Sequence, residues 1–239
     1  MGPHDKSGNY DPKYQGLKFP DDQQRVYVLG RTGSGKTTGG LWHLTRSNFL
    51  RFPWVVIDTK RDTHIKKLED AGAIEISVFD HPPETPGIYI VRPDHRNAND
   101  LNDFLFRVWE FERTGIFIDE GHQVHEMAPS ALRSLLTQGR SKNIPMIVLS
   151  QRPAFIGRFT MSEADFYQIF RLVHFDDRKT VEKNTGFDLD EYTFEQHWSL
   201  WYQVEDEKTF EFQPCPPAED SIKQIAKDLD TLRARPVML

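Results

Sequence analysis

Gly30-Arg31-Thr32-Gly33-Ser34-Gly35-Lys36-Thr37 constrains the fold more than any other stretch of the chain. Its spacing is G-x-x-x-x-G-K-[ST], and it lies between the apolar run Val26-Tyr27-Val28-Leu29 and a helical pattern that starts at Lys36. A strand, a glycine-rich loop and a helix in that order make a phosphate cradle. The glycines let backbone N–H groups close around an anion, and the helix N-terminus adds partial positive charge. In such a loop Lys36 reaches the β- and γ-phosphates and the Thr37 hydroxyl ligates Mg²⁺. The motif assigns ATP to Thr32, Gly33, Ser34, Gly35, Lys36, Thr37 and Thr38, with Thr37 on the metal.

The flanking sequence supplies the sheet that such a loop needs. Strand candidates occur at Arg25 to Leu29, Trp54 to Ile57, Ile74 to Phe79, Ile88 to Val91, Gly115 to Ile118, Met146 to Leu149 and Ile169 to Val173. Between most of them lie helical patterns, at Lys36 to Leu50, Thr63 to Ala71, Ala98 to Glu112, Pro129 to Gly139 and Phe159 to Tyr167. This alternation predicts an α/β fold, a mainly parallel sheet flanked by helices on both faces. Near the C-terminus, Trp198 to Val204 and Thr209 to Gln213 flank the acidic turn Glu205-Asp206-Glu207, as in a β-hairpin at a sheet edge. Pro214-Cys215-Pro216-Pro217 reads as a stiff connector before a charged helix over Ala218 to Arg233. The organisation expected is an arm over 1–23, mobile or packed on a neighbour, and one domain over 24–239. Its core is 24–190 and its hairpin and helix are 191–239.

No run approaches the roughly 18 apolar residues of a membrane helix, and the polar N-terminal stretch lacks a secretory pattern, so a cytoplasmic protein is expected. The single cysteine, Cys215, excludes an internal disulfide, and the nine histidines show no metal-ligand spacing. A net charge of -6 speaks against a surface coated in basic residues. It leaves room for a nucleic-acid motor whose Lys and Arg are confined to loops facing a central channel.

Gly115-Ile116-Phe117-Ile118-Asp119-Glu120 places two carboxylates at the tip of an apolar strand. Asp119 is positioned to hold Mg²⁺ and Glu120 to deprotonate the attacking water, the arrangement of an NTPase that hydrolyses. Met146-Ile147-Val148-Leu149-Ser150-Gln151 is a second buried-strand pattern ending in polar residues, which brings Gln151 to the γ-phosphate as a sensor candidate. Arg140 follows the Gly139 helix-stop signal, exposed and able to reach a neighbouring subunit as an arginine finger; Arg133, Arg152 and Arg171 compete for that role.

Together these elements resemble the FtsK/HerA superfamily of DNA-pumping ATPases. The matching segments are Gly30 to Thr37, Ile57-Asp58-Thr59-Lys60, Phe117-Ile118-Asp119-Glu120, Gly139-Arg140-Ser141-Lys142-Asn143-Ile144 and Ser150-Gln151-Arg152-Pro153, in the family's order. Compact size makes the chain most similar to the genome-packaging ATPases of tailless, membrane-containing icosahedral viruses. The resemblance implies a RecA-like P-loop NTPase core, a homo-oligomeric ring (hexamer or pentamer), Arg140 as the trans-acting finger and Gln151 as the sensor. It implies double-stranded DNA as cargo, with viral capsid or membrane-embedded vertex proteins as further partners. The expected place is then the host cytoplasm or the virion. Thr59 departs from the proline common in conjugative pumps, which weakens a conjugation reading. Lys60, Arg61, Lys66 and Lys67, the densest basic stretch near a strand end, are the DNA-facing candidates, beside the alternative of a solvated helix face.

Three other readings compete. Asp119-Glu120-Gly121-His122 matches a DExH helicase box, but the stretch after Gln151 is too short for the second lobe such helicases need. A small-molecule phosphotransferase would waste ATP on a water-activating Glu120. An NTP-dependent phage assembly or scaffold protein often carries a membrane segment, and none is visible.

Overall fold

The computed structural model of the chain describes residues 14–186 and 188–234. β1 (Arg25–Leu29) is buried along its whole length, with Val26 and Val28 in one core and Tyr27 and Leu29 in the other. Burial on both faces is what an interior strand of a parallel sheet requires. After it come α1 (Lys36–Thr45), β2 (Pro53–Ile57), α2 (Thr63–Asp70), β3 (Ile74–Ile76), β4 (Gly87–Val91), α3 (Ala98–Phe111) and β5 (Gly115–Ile118). The chain continues through α4 (Gly121–Met127), α5 (Pro129–Gln138), β6 (Met146–Ser150), α6 (Arg158–Ser162), β7 (Phe166–Ile169) and α7 (Phe175–Thr185). It closes with β8 (Ser199–Gln203), β9 (Lys208–Phe212) and α8 (Ala218–Arg233).

The strands form one sheet in the order β3-β4-β2-β5-β6-β1-β7-β8-β9. All pairings from β3 to β7 are parallel, and β8 and β9 add antiparallel to the far side of β7. One face is covered by α3 and α5 through Leu101, Phe104, Leu105, Leu132 and Leu136. The other is covered by α1, α2 and α8 through Leu41, Leu44, Ile65, Leu68, Ile225 and Leu229. The expected α/β architecture is thus present, as are the C-terminal hairpin and the helix over Ala218 to Arg233.

Three local expectations are corrected. The helix expected to reach Leu50 stops at Thr45, because the Thr45 and Ser47 hydroxyls donate to the carbonyls of Trp42 and Leu44, each at 2.7 Å, and end the ladder. The helix expected over Phe159 to Tyr167 ends at Ser162, and the strand expected from Ile169 to Val173 instead runs Phe166–Ile169. Strand pairing overrides local propensity here: Asp165 N donates to Arg25 O at 3.0 Å, and the Phe166 ring stacks on Trp201 at 5.1 Å. The sequence pattern also missed α4 and α7. In α7 the buried positions are Asp177, Val181 and Thr185, too polar a face to show an apolar period.

The arm is corrected too. Residues 1–13 lie outside the described residues, but from Tyr14 onward the arm packs on its own chain. Phe19 meets Trp42, Trp201 and Phe212, and the Arg46 guanidinium lies 4.1 Å over its ring. Lys18 N donates to Gln203 Oε1 at 2.6 Å, while Trp201 Nε1 donates to Lys18 O at 3.1 Å.

Beneath the arm, the Trp201 ring stacks on His43, and His43 Nε2 donates to Gln168 Oε1 at 2.9 Å. Burial, only partly opposed by that hydrogen bond, pushes the His43 pKa from 6.5 down to about 3. The unfolded chain therefore binds a proton here that the folded chain refuses. The stability conferred is complete above pH 6.5 and declines as pH falls towards the folded value, by about 1.4 kcal/mol per unit. Urea unfolding should show the stability of wild type relative to His43→Gln falling by about 2 kcal/mol between about pH 7.5 and pH 5. A pH-independent difference would mean that the imidazole is protonated inside the fold.

Candidate functional site: a nucleotide cradle at the carboxyl end of the sheet

The loop after β1 is stitched to its neighbours on both sides. Gly30 N donates to Ser150 O and Arg31 N to Arg171 O, each at 3.1 Å, so the ladder of β1 continues into the cradle. Gly35 caps α1 with φ 105, a conformation that L side chains rarely adopt, and a Cβ there would lie 3.3 Å from the Phe170 ring. Behind it opens a cavity of about 450 Å³ lined by Thr32, Gly33, Gly35, Lys36, Thr37 and Thr38. Lys36 Nζ points back to the Arg31 carbonyl at 3.4 Å, and burial holds its pKa below the ordinary value. An anion beside it would oppose that shift.

Asp119, just past β5, and Glu120, just before α4, line the far wall of this cavity. Burial first, and then the carboxylate of Asp62, push the Asp119 pKa up to about 7. A carboxylate in this state, in a cavity that also holds Asp62, Glu120 and the Thr37 hydroxyl, fits a hard divalent cation with oxygen ligands. Glu120 is fully buried and its oxygens are taken by donors. It accepts from His122 Nδ1 at 2.8 Å, the Gln151 backbone N–H at 3.1 Å, Ser150 Oγ at 3.3 Å and the Lys60 ammonium. Such a shell fixes the carboxylate in position. Gln151 closes the ring of contacts, its Oε1 accepting from Thr32 Oγ1 of the cradle at 2.5 Å.

Of the residues predicted for the site, Thr32, Gly33, Gly35, Lys36, Thr37, Thr38, Asp119, Glu120 and Gln151 line one cavity. Ser34 does not present its side chain there. Its hydroxyl is buried, without a hydrogen-bond partner among the described residues, and a Cβ on Gly30 would lie 2.5 Å from it. Arg140 lies elsewhere altogether, beside the amino ends of β1 and β7, where it pairs with Asp165 at 2.9 Å. Among its competitors, Arg152 follows β6 and pairs with the buried Asp177 at 3.0 Å, and Arg171 follows β7.

The expectation that Lys60 faces DNA is corrected: it lines the cavity and holds Glu120. Lys67 is paired with Glu219 of α8 at 3.0 Å, while Arg61 and Lys66 are exposed. Asp62, Thr63, His64, His122 and His197 were missed. Ile57-Asp58-Thr59-Lys60 marked the Lys60 strand tip, and His122 stood in the Asp-Glu-Gly-His string, but His197 carried no local signal.

No protein-family model matches the chain. It is 36% identical over 214 residues to the DNA packaging ATPase P9 of Enterobacteria phage PRD1, an alignment covering 85% of this chain and 92% of P9. Its fold resembles that of the genome packaging NTPase B204 of Sulfolobus turreted icosahedral virus 2, solved with AMPPCP. The TM-score is 0.63 at 16% identity, over 82% of this chain and 100% of that one. VirB4 of Thermoanaerobacter pseudethanolicus shares the fold as well, with TM-score 0.63 at 11% identity over 92% of this chain and 96% of VirB4. EssC of Geobacillus thermodenitrificans (ATPases 2 and 3) does so with TM-score 0.64 at 12% identity, over 90% of this chain and 45% of that one. With its cradle, its strand-tip carboxylates and this identity along most of its length, the chain belongs to the family of viral DNA packaging ATPases that includes P9 of phage PRD1.

Proposed function

We propose that the chain hydrolyses ATP with Mg²⁺ and uses the energy to drive double-stranded DNA into a viral capsid, working as a ring of identical subunits. Hydrolysis is carried by one observation: Glu120 is buried and held by surrounding donors at the wall of the cavity that also receives Lys36 and Thr37. The DNA cargo and the capsid as partner rest on the family, whose member P9 of phage PRD1 is a DNA packaging ATPase. Among the described residues no helix is long and apolar enough to cross a membrane. The host cytoplasm and the virion are the places where such a motor would work.

In this reading the cradle's backbone N–H groups and the α1 N-terminus bind the phosphates, and Lys36 holds the β- and γ-phosphates. Thr37 and Asp119 would hold Mg²⁺, which when bound neutralises charge developing on the phosphoryl oxygens. Glu120 takes the proton of the attacking water once that water displaces one of the donors now on its carboxylate. Gln151, tied at once to Thr32 of the cradle and to Glu120 through its backbone, senses whether the γ-phosphate is present. Arg140 lies at the opposite end of the sheet from its own cavity, which favours action on a neighbouring subunit's nucleotide. Its pairing with Asp165 is half-exposed and weak enough to release.

Lys36→Ala should abolish nucleotide binding. Glu120→Gln should keep binding but slow hydrolysis by about 10²-fold or more, checked by phosphate release against calorimetric titration. Double-stranded DNA should stimulate hydrolysis, and the stimulation should fade with added salt; a rate indifferent to any nucleic acid would sink the motor. Mixing inactive Arg140→Ala with inactive Glu120→Gln subunits should restore part of the activity, since some interfaces then hold both groups. Stable mixed rings without recovery would remove Arg140 from the finger role.

A further inference from the structure

β8 runs antiparallel to β7, so its first residue lies at the same end of the sheet as the cradle. The loop entering it places His197 against the cradle itself. Its Nδ1 lies 3.2 Å from the Ser34 carbonyl, and 3.4 Å from where a Cβ on Gly35 would stand. A carbonyl only accepts, so Nδ1 carries the hydrogen. In the neutral ring Nε2 is then an acceptor, and the Gln196 amide meets it at 3.3 Å. The ring is thus held at both nitrogens while it remains exposed and lines the cavity. The backbone of His197 sits at φ 65, in the left-handed region uncommon for residues other than glycine, and held conformations of that kind concentrate at ligand sites.

The sheet order tells which part of a nucleotide this ring faces. β1 lies between β6 on one side and β7 on the other. The groups for hydrolysis all come from the first side: Asp119 and Glu120 after β5, Gln151 after β6. His197 comes from β8, on the second side. A nucleoside triphosphate laid across the cradle with its γ-phosphate at Glu120 and Gln151 directs its nucleoside towards β7 and β8. We infer that His197 is the nucleoside-recognition residue of the site, its flat ring packing on the base of the bound nucleotide, with Ser34 and Gln196 fixing the ring in place. The C-terminal hairpin is then part of the binding site. This inference rests on the nucleotide reading of the cavity.

Inorganic tripolyphosphate separates the two, since it offers the phosphates without a nucleoside. Calorimetric titration of the full chain with each ligand, in the presence of Mg²⁺, compares wild type, His197→Ala and His197→Phe. His197→Ala should weaken ATP binding about tenfold, the scale of one base–aromatic stacking contact, and leave tripolyphosphate binding unchanged. His197→Phe, which keeps a flat ring without the nitrogens, should retain most of the ATP affinity. Equal losses for both ligands would make His197 only a prop for the Ser34 loop and overturn the inference, as would wild-type affinity in the alanine variant. ATP binding lost as completely in His197→Phe as in His197→Ala would overturn the stacking role. A wild-type chain that binds neither ligand would overturn the nucleotide reading itself; one that binds both isolates any failure to His197.

Discussion

The parallel pairing of β1 with β6 and β7 is the constraint on which the rest of the molecule depends. It does not stop at the strand ends. Leu29 O accepts from Phe170 N at 2.7 Å and Ser150 O from Gly30 N at 3.1 Å, so the ladder passes from regular strand into the loop without a break. A cradle for phosphates has to hold its N–H groups where no side chain holds them, and here the strands on either side do that. The same pairing sets the distance between functional groups. Because β5 and β6 are in register, Glu120 and Gln151 emerge side by side, and the Gln151 backbone N–H donates to the Glu120 carboxylate at 3.1 Å.

A second consequence is the way a buried charge is tolerated. Glu120 has no exposed surface, and a lone carboxylate so placed would be strongly unfavourable. The structure surrounds it with a hydroxyl, an amide, an imidazole and an ammonium from three points of the chain, Ser150-Gln151, His122 and Lys60. Only a fold that brings the ends of β2, β5 and β6 together can supply that set. Removing any one donor leaves the charge less well satisfied, so the carboxylate is only as well placed as its neighbours.

What was legible in the sequence follows from how local each signal is. The octapeptide at Gly30, the Asp119-Glu120 pair at a strand tip and the hairpin around Glu205-Asp206-Glu207 each carry their meaning within a few residues. Their positions hold in the structure. The end of α1 depended on two hydroxyls turning back to the chain, which a periodic pattern does not reveal. The limits of β7 depended on pairing with β1 and β8, and α7 on a polar face that packs on the turn after β6. His197 lay beyond local reading altogether. Its place is set by the antiparallel return of β8, an event of the sheet and not of the residues around it. Lys60 was read as one of a basic run, when the acid it serves lies 60 positions along the chain.

Both borders of the sheet are blunt. At one, β3 has three residues, and its Glu75 is drawn into an ion pair with Arg92 at 2.6 Å. At the other, β9 exposes the charges of Lys208 and Glu211, and the arm lies against its aromatic face through Tyr14 and Phe19. Short, charged or covered borders are poor templates for an added strand. Copies at high local concentration are thereby kept from fusing sheet to sheet into an aggregate, and contacts between them fall instead to side chains and loops.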